Sequence, residues 1–324
     1  MKYKVSVVVP IYGTEKYIER CAKSLFEQTL DDIEYIFVND CTKDHAIEKL
    51  EEVIKNYPER KDQIRIINLE RNRGLAIARG TGFKQCKGEY IITCDSDDWV
   101  ELDAYESMYR LAKDKNADIV ICDFYKNDGV NKTVFPITHP TERLSLIKDM
   151  LYDKTKWCIW NKMFRANLLN KDITFPRLSM GEDCAFVLQL AYYCNKIAYT
   201  NKVSYNYFYN PSSLVNNPSE ESRYKRFKEG MDNCQIVDSF YKDKEEYAEL
   251  KGGLGYMLFQ TKKLLLPIIQ NDKFKAIWKK TCPGLEWKIF RDKRTPIKER
   301  FRSLLILSKI YPQITNKLGL TKCI

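Results

Sequence analysis

Three carboxylates fall in one short run, Asp95-Ser96-Asp97-Asp98, and they are the first residues in this sequence whose types and spacing suggest chemistry. They follow Tyr90 to Cys94, an apolar run too short for a helix that reads as a buried strand. The carboxylates therefore stand where the chain leaves a sheet, the edge at which open α/β sheets gather ligands. Asp95 and Asp97 are two apart and share a side in extended chain. Two hard oxygen ligands so placed suit Mg²⁺ or Mn²⁺ that is also held by a substrate diphosphate. The competing reading is a solvated acidic turn that caps a helix beginning near Glu101. A second pair, Glu182-Asp183, lies in Ser179 to Leu190, which reads as a loop feeding a helix. In the first turn of that helix the dipole favours carboxylates, and capping alone would explain them.

The elements that must position these residues follow from periodicity. Val5 to Val9 is β-branched and continuous, as in a strand covered on both faces, and Glu15 to Gln28 carries Ile18, Cys21, Ala22 and Leu25 at helical spacing. The pattern repeats: strands at Glu34 to Val38, Ile64 to Leu69, Tyr90 to Cys94 and Asp118 to Cys122 alternate with helices at Asp44 to Tyr57, Leu75 to Cys86 and Glu101 to Lys115. Five strands alternating with helices predict an α/β fold with a doubly wound, mostly parallel, Rossmann-like sheet. No Gly-x-Gly-x-x-Gly follows the first strand, which argues against a dinucleotide site. Beyond residue 125 come a polar hairpin at Asn127 to Phe135, a helix at Leu144 to Tyr152, and the aromatic cluster Trp157, Trp160 and Phe164, read as core packing at helical spacing. Strands at Ile197 to Thr200 and Val203 to Tyr209 precede breaker-rich Asn210 to Ser219. The expected organisation is a catalytic domain over 1–215 and a basic, mainly helical region over 216–324.

Composition bounds the rest. With 324 residues, 44% hydrophobic and 30% charged, the chain can bury a sizeable core. Its eleven cysteines are odd in number, sit mostly in apolar runs and form no CxxC pair, which points to reduced thiols in a cytoplasm. No run of about eighteen apolar residues suggests a transmembrane helix.

Four pieces together carry a family resemblance: Val7 to Glu15 after the first strand, Val38-Asn39-Asp40 after the second, Asn72 to Gly82 containing Gly74 and Arg79, and Asp95 to Asp98. In order and spacing they resemble glycosyltransferase family 2, inverting enzymes of GT-A fold, over residues 4 to about 210. Trp160-Asn161-Lys162 is similar to a segment of its polysaccharide-building members. The resemblance implies that Pro10, Ile11, Tyr12, Glu15 and Asp40 hold the nucleotide, with Asp40 accepting a uracil N–H. It implies that Asn72, Gly74 and Arg79 close over the nucleotide, that Asp95 and Ser96 sit by the ribose, and that Asp97 with Asp95 binds Mn²⁺ or Mg²⁺. Glu182 and Asp183 fall on the catalytic pair, with Asp183 as general base. One carboxylate must take the proton of the attacking hydroxyl, and a cation must neutralise the departing diphosphate. Gly13, Asn39 and Gly80 depart from the family pattern, which has Asn, Asp and Asn there; none is a residue given a chemical role.

The implied activity moves one sugar from a nucleotide-sugar, a UDP-sugar, to a glycan or lipid-linked oligosaccharide acceptor in bacterial surface polysaccharide synthesis. The motif and spans of processive members are absent, hence a single addition. A non-catalytic nucleotide-sugar-binding or scaffold protein of the same fold is the alternative, and the presence of Asp97 and Asp183 argues against it. From Gln260 to Ile324 there are sixteen Lys and Arg against four Asp and Glu, a net of plus 12 that leaves about minus 2 for the remainder. This tail reads either as a solvated helical face or, through Leu304, Leu305, Ile306 and Ile310, as a helix at an anionic membrane surface. Nucleic acid is not expected, since no recognised motif is present. The implied location is cytoplasmic, peripheral at the inner face of the membrane.

Overall fold

The computed structural model describes residues 2–135, 137–210, 213 and 216–308. The chain divides into two compact units, one of residues 1–147 with 156–211 and one of 148–155 with 212–324.

The first unit is built on a nine-stranded sheet. In chain order it has β1 (Tyr3–Ile11), α1 (Ile18–Phe26), β2 (Ile33–Asn39), α2 (Ala46–Lys55), β3 (Ile64–Asn68), α3 (Leu75–Phe83), β4 (Gly88–Thr93), β5 (Trp99–Val100), α4 (Ala104–Lys115), β6 (Ile119–Asn127) and β7 (Lys132–Phe135). After α5 (Arg143–Leu151), which runs into the second unit, come β8 (Lys162–Arg165), α6 (Glu182–Tyr192) and β9 (Ile197–Phe208). The sheet order is β3-β2-β1-β4-β8-β6-β9-β5, with β7 paired to β6. β3, β2, β1 and β4 run parallel, as expected. The fifth expected strand, β6, also keeps that direction but does not touch β4: the short antiparallel β8 lies between them. The segment expected to pack at helical spacing is therefore a turn and a strand. Trp160 and Phe164 are core residues all the same, and Trp160 stacks on Tyr205 at 4.3 Å between ring centroids and meets Phe124 edge-on at 4.8 Å. Trp157 is half-buried.

The two strands expected after α6 are one strand, β9, whose parallel register with β6 slips between Cys122 and Phe124. α1 and α2 start later and stop earlier than periodicity implied, α3 stops earlier and α4 starts later, because loop residues beside them make their own contacts. Thr14, for example, accepts the N–H groups of Tyr17 and Ile18 ahead of α1. α3 lies so close on the sheet that a Cβ on Gly82 would stand 2.3 Å from Val8 Cγ1. None of the ten described cysteines forms a disulfide.

The second unit is helical: α7 (Glu220–Tyr241), α8 (Tyr247–Lys262), α9 (Asp272–Lys280), α10 (Leu285–Arg291) and α11 (Ile297–Leu307). Its interior holds charge. Lys262 Nζ meets Glu286 Oε1 at 2.6 Å beneath the Trp278 ring, and Glu299 Oε1 lies 3.0 Å from Lys263 Nζ and 2.5 Å from Arg302 Nη1. Among the described residues no helix is long and apolar enough to cross a membrane. Ile310 and the rest of 309–324, to which part of the tail reading refers, lie outside the described residues.

Candidate active site

The loops that leave β1, β2, β3 and β4 at their carboxyl ends carry the expected nucleotide residues to one edge of the sheet. Pro10 and Ile11 complete β1 and are buried, and Tyr12, which follows them, is half exposed. Gly13 takes a φ of 69°, and its N–H donates to Thr42 Oγ1 at 2.9 Å. Glu15, expected at the nucleotide, is engaged with the start of α2: its carboxylate lies 3.4 Å from Lys49 Nζ, and its N–H donates to Asp44 Oδ2 at 2.8 Å.

Asp40, 3% exposed, accepts the N–H groups of Arg73 at 2.7 Å and Gly74 at 2.8 Å, one on each oxygen. It thus clamps the Asn72 to Gly74 turn, and a base contact has only the second lone pair of each oxygen. Asn72 is exposed. Gly74 holds a φ of 87° that a side chain would strain, and opens α3; Leu75 N–H donates to Ser179 Oγ at 3.1 Å.

Asp95, Ser96, Asp97 and Asp98 turn away from β4, with Asp98 N–H donating to Asp95 O at 3.0 Å. Ser96 is buried. The carboxylates are not equivalent. Asp98 is spent on structure: it accepts from Tyr205 Oη at 2.6 Å and from Phe208 N–H at 2.7 Å, so it pins β9, and it does not cap the following helix. Burial and the neighbouring Asp97 and Asp95 push its carboxyl well up. Asp97 accepts from Asn210 Nδ2 at 2.9 Å, and its carboxyl is also pushed up, by desolvation first and repulsion from Asp95 second. Asp95 Oδ1 accepts from Arg79 Nη2 at 2.6 Å.

Arg79, expected in the stretch that closes over the nucleotide, is 2% exposed, with one terminal nitrogen on Asp95 and the other paired with Glu182. It therefore ties the end of β4 to the first turn of α6. Asp183, next to Glu182, is half-buried and accepts the N–H of Cys184 at 2.8 Å. Desolvation raises its carboxyl, while the Arg79 and Lys162 charges act against that rise and Asp95 adds to it. Lys162 is fully buried. Its Nζ donates to Lys156 O, Cys158 O and Asn161 Oδ1, each at 2.7 Å. Three acceptors require three N–H bonds, so the amine is an ammonium, although burial lowers its pKa.

Among the described residues no three His, Cys, Asp or Glu side chains cluster as a metal site. The Asp95 and Asp97 pair fits a divalent cation of another kind. Asp95 raises the proton affinity of Asp97 at one strand end, a repulsion that a cation between them would relieve, and the remaining ligands would come from a diphosphate and water. Sequence reasoning missed the roles of Tyr205, Asn210 and Ser179, whose partners lie more than a hundred residues away and are announced by no local signal. Lys162 enters it only as part of the Trp160-Asn161-Lys162 segment, which does not foretell its burial as an ammonium held by Lys156, Cys158 and Asn161.

Residues 6–175 match the model of the family described as glycosyl transferase family 2. This match covers more than half of the chain, which therefore belongs to that family and is a glycosyltransferase. Among curated relatives, the putative glycosyltransferase EpsH of Bacillus subtilis is 27% identical over 97% of this chain and 86% of its own length. The uncharacterized glycosyltransferase EpsJ of the same organism is 34% identical over 66% of this chain and 63% of its own length, so more than a third of EpsJ lies outside the match. A structure of TarS 1–349 from Staphylococcus aureus in complex with UDP-GlcNAc superposes with a TM-score of 0.61, covering 96% of this chain and 92% of that one at 19% identity. That likeness shows the GT-A fold with its helical C-terminal region.

Proposed function

We propose that the chain transfers one sugar from a UDP-sugar to a hydroxyl of a glycan or lipid-linked oligosaccharide, with inversion, in the building of a bacterial surface polysaccharide. The observation that carries this reading is the Arg79 bridge, which holds the carboxylates of the β4 end and the Glu182-Asp183 turn in one electrostatic unit. Donor chemistry and base chemistry need that adjacency. The UDP-GlcNAc bound by the TarS structure supports a UDP-sugar as donor.

In this mechanism Tyr12 and the Asp40 clamp receive the base, and Asp95 and Ser96 lie toward the ribose. Asp97 and Asp95 would hold Mn²⁺ or Mg²⁺, which supplies neutralisation of the departing diphosphate. The acceptor oxygen attacks the anomeric carbon, the bond from that carbon to the diphosphate oxygen breaks, and the hydroxyl proton passes to Asp183. Glu182 positions the turn through Arg79. A lipid-linked acceptor puts this reaction at the inner face of the cytoplasmic membrane.

The test is turnover with a panel of UDP-sugars, together with UDP affinity by calorimetry. Asp183→Asn should lower kcat by about a hundredfold or more while UDP affinity stays near wild type. Asp97→Asn should weaken UDP binding in the presence of Mn²⁺ and remove its dependence on that ion. A loss confined to donor KM in Asp183→Asn would return Asp183 to helix capping.

A further inference from the structure

α11 is inside out. A helix on the surface of a water-soluble unit turns its apolar stripe inward and its polar residues outward. Here the positions that point inward are Glu299 and Ser303, 8% and 0% exposed, with Glu299 held by Lys263 and Arg302. The positions that point outward are Ile297, Phe301 and Leu304, at spacings of four and three, exposed by 81%, 61% and 39%. The neighbouring α10 adds Trp287, 49% exposed. Four of the chain's large exposed apolar side chains thus fall within eighteen residues of one another.

Charge around this stripe has one sign. Three of the four carboxylates between residues 260 and 308 are tied inside the unit: Glu286 to Lys262, Glu299 to Lys263 and Arg302, and Asp292 to Arg294. Lys288 and Arg291 of α10, Lys293 of the connection and Lys298 of α11 are exposed and form no ion pair among the described residues. Arg302, which charge counting would add to the surface set, is largely covered and committed to Glu299, whereas Arg294 is paired with Asp292 and keeps an exposed side chain.

We propose that the face formed by α10 and α11 lies in the interface of an anionic bilayer, with Ile297, Phe301, Leu304 and Trp287 entering the acyl boundary and the lysines and arginines meeting the headgroups. An apolar stripe flanked by cations matches both layers of such a surface. A phosphodiester backbone would satisfy the cations and leave Phe301 and Ile297 in water, so the stripe favours lipid over nucleic acid. The proposal does not depend on the catalytic reading, because binding to lipid needs no turnover.

Flotation of the full chain with vesicles tests it. With phosphatidylglycerol in phosphatidylcholine, the protein should float; with phosphatidylcholine alone, or in salt high enough to shrink the screening length to about 3 Å, it should stay at the bottom. Ile297→Ser with Phe301→Ser should cut the bound fraction by about tenfold, and so should Lys288→Gln, Arg291→Gln, Lys293→Gln and Lys298→Gln together, with circular dichroism unchanged in both. Val130→Ser, a 91% exposed residue of the other unit, should change nothing. A wild type that ignores anionic vesicles overturns the proposal. So does binding that survives the serine pair, or a stripe whose mutation only dissolves a dimer or releases RNA.

Discussion

Lys162 is a buried cation whose three protons all go to neutral acceptors. The groups whose charge bears on it are Cys158 and Cys122, thiols that burial pushes up to about 12 and so keeps neutral, and Asp183. Arg79, shared by Asp95 and Glu182, is the charge that chiefly opposes the desolvation of Asp183, and the N–H of Cys184 comes next. Lys162 adds a smaller contribution of the same sign to the half-buried Asp183. The sign follows directly: a base must be deprotonated to work, so activity falls as pH drops through its raised pKa, and removing Lys162 raises that pKa further. In Lys162→Met the acid limb of kcat/KM should move upward by roughly a few tenths of a pH unit, and Lys162→Arg should restore it. A limb that stays in place in the Met variant would leave Lys162 with a structural role only. At this scale the sequence disclosed the carboxylates, because Asp95, Asp97, Glu182 and Asp183 lie in two short contiguous runs. It did not disclose which were spent. Asp98 is consumed by Tyr205 and Phe208, and Asp97 is braced by Asn210, more than a hundred residues downstream.

At the scale of elements, α3 carries a contrast between two glycines that the sequence treats alike. Gly82 meets Val8 at a distance no Cβ tolerates, whereas a Cβ on Gly80 would find nothing nearer than Phe175 at 4.0 Å. Gly82→Ala should therefore cost about 1–3 kcal/mol through overpacking, and Gly80→Ala should be neutral or stabilising by up to about 1 kcal/mol, since glycine in a helix interior is entropically poor. Urea unfolding of both variants checks the pair, and equal effects would show that α3 does not press on β1 as closely as described. Strand and helix alternation through β4 was legible because each strand holds a short run dominated by β-branched and aromatic residues. β8 was not: its four residues, Lys-Met-Phe-Arg, include two cations, one buried whole as an ammonium and one set beside Glu89 and Asp118. Nothing in period-2 patterning marks such a strand.

For the whole molecule, charge division was legible and its surface meaning was not, because counting cannot tell an arginine tied to Glu299 from one facing solvent. The apolar part of the tail reading shifts as well, from Leu305 and Ile306, which are half-buried, to Ile297 and Phe301, which are exposed. The placement of β8 bears on how the chain reaches its native state during synthesis. β1 to β4 can pair as soon as they leave the ribosome, but β6 cannot join them until residues 162–165 arrive, and it gains its long partner β9 only later. Until then β4 keeps an open edge, the kind of strand that pairs with other chains. Long-range closure of this sort is slow and exposes aggregation-prone surface. A chain stopped at residue 160 should consequently sediment as aggregate, while one carried through residue 211 should stay dispersed, so the last strands of the sheet protect the first from one another.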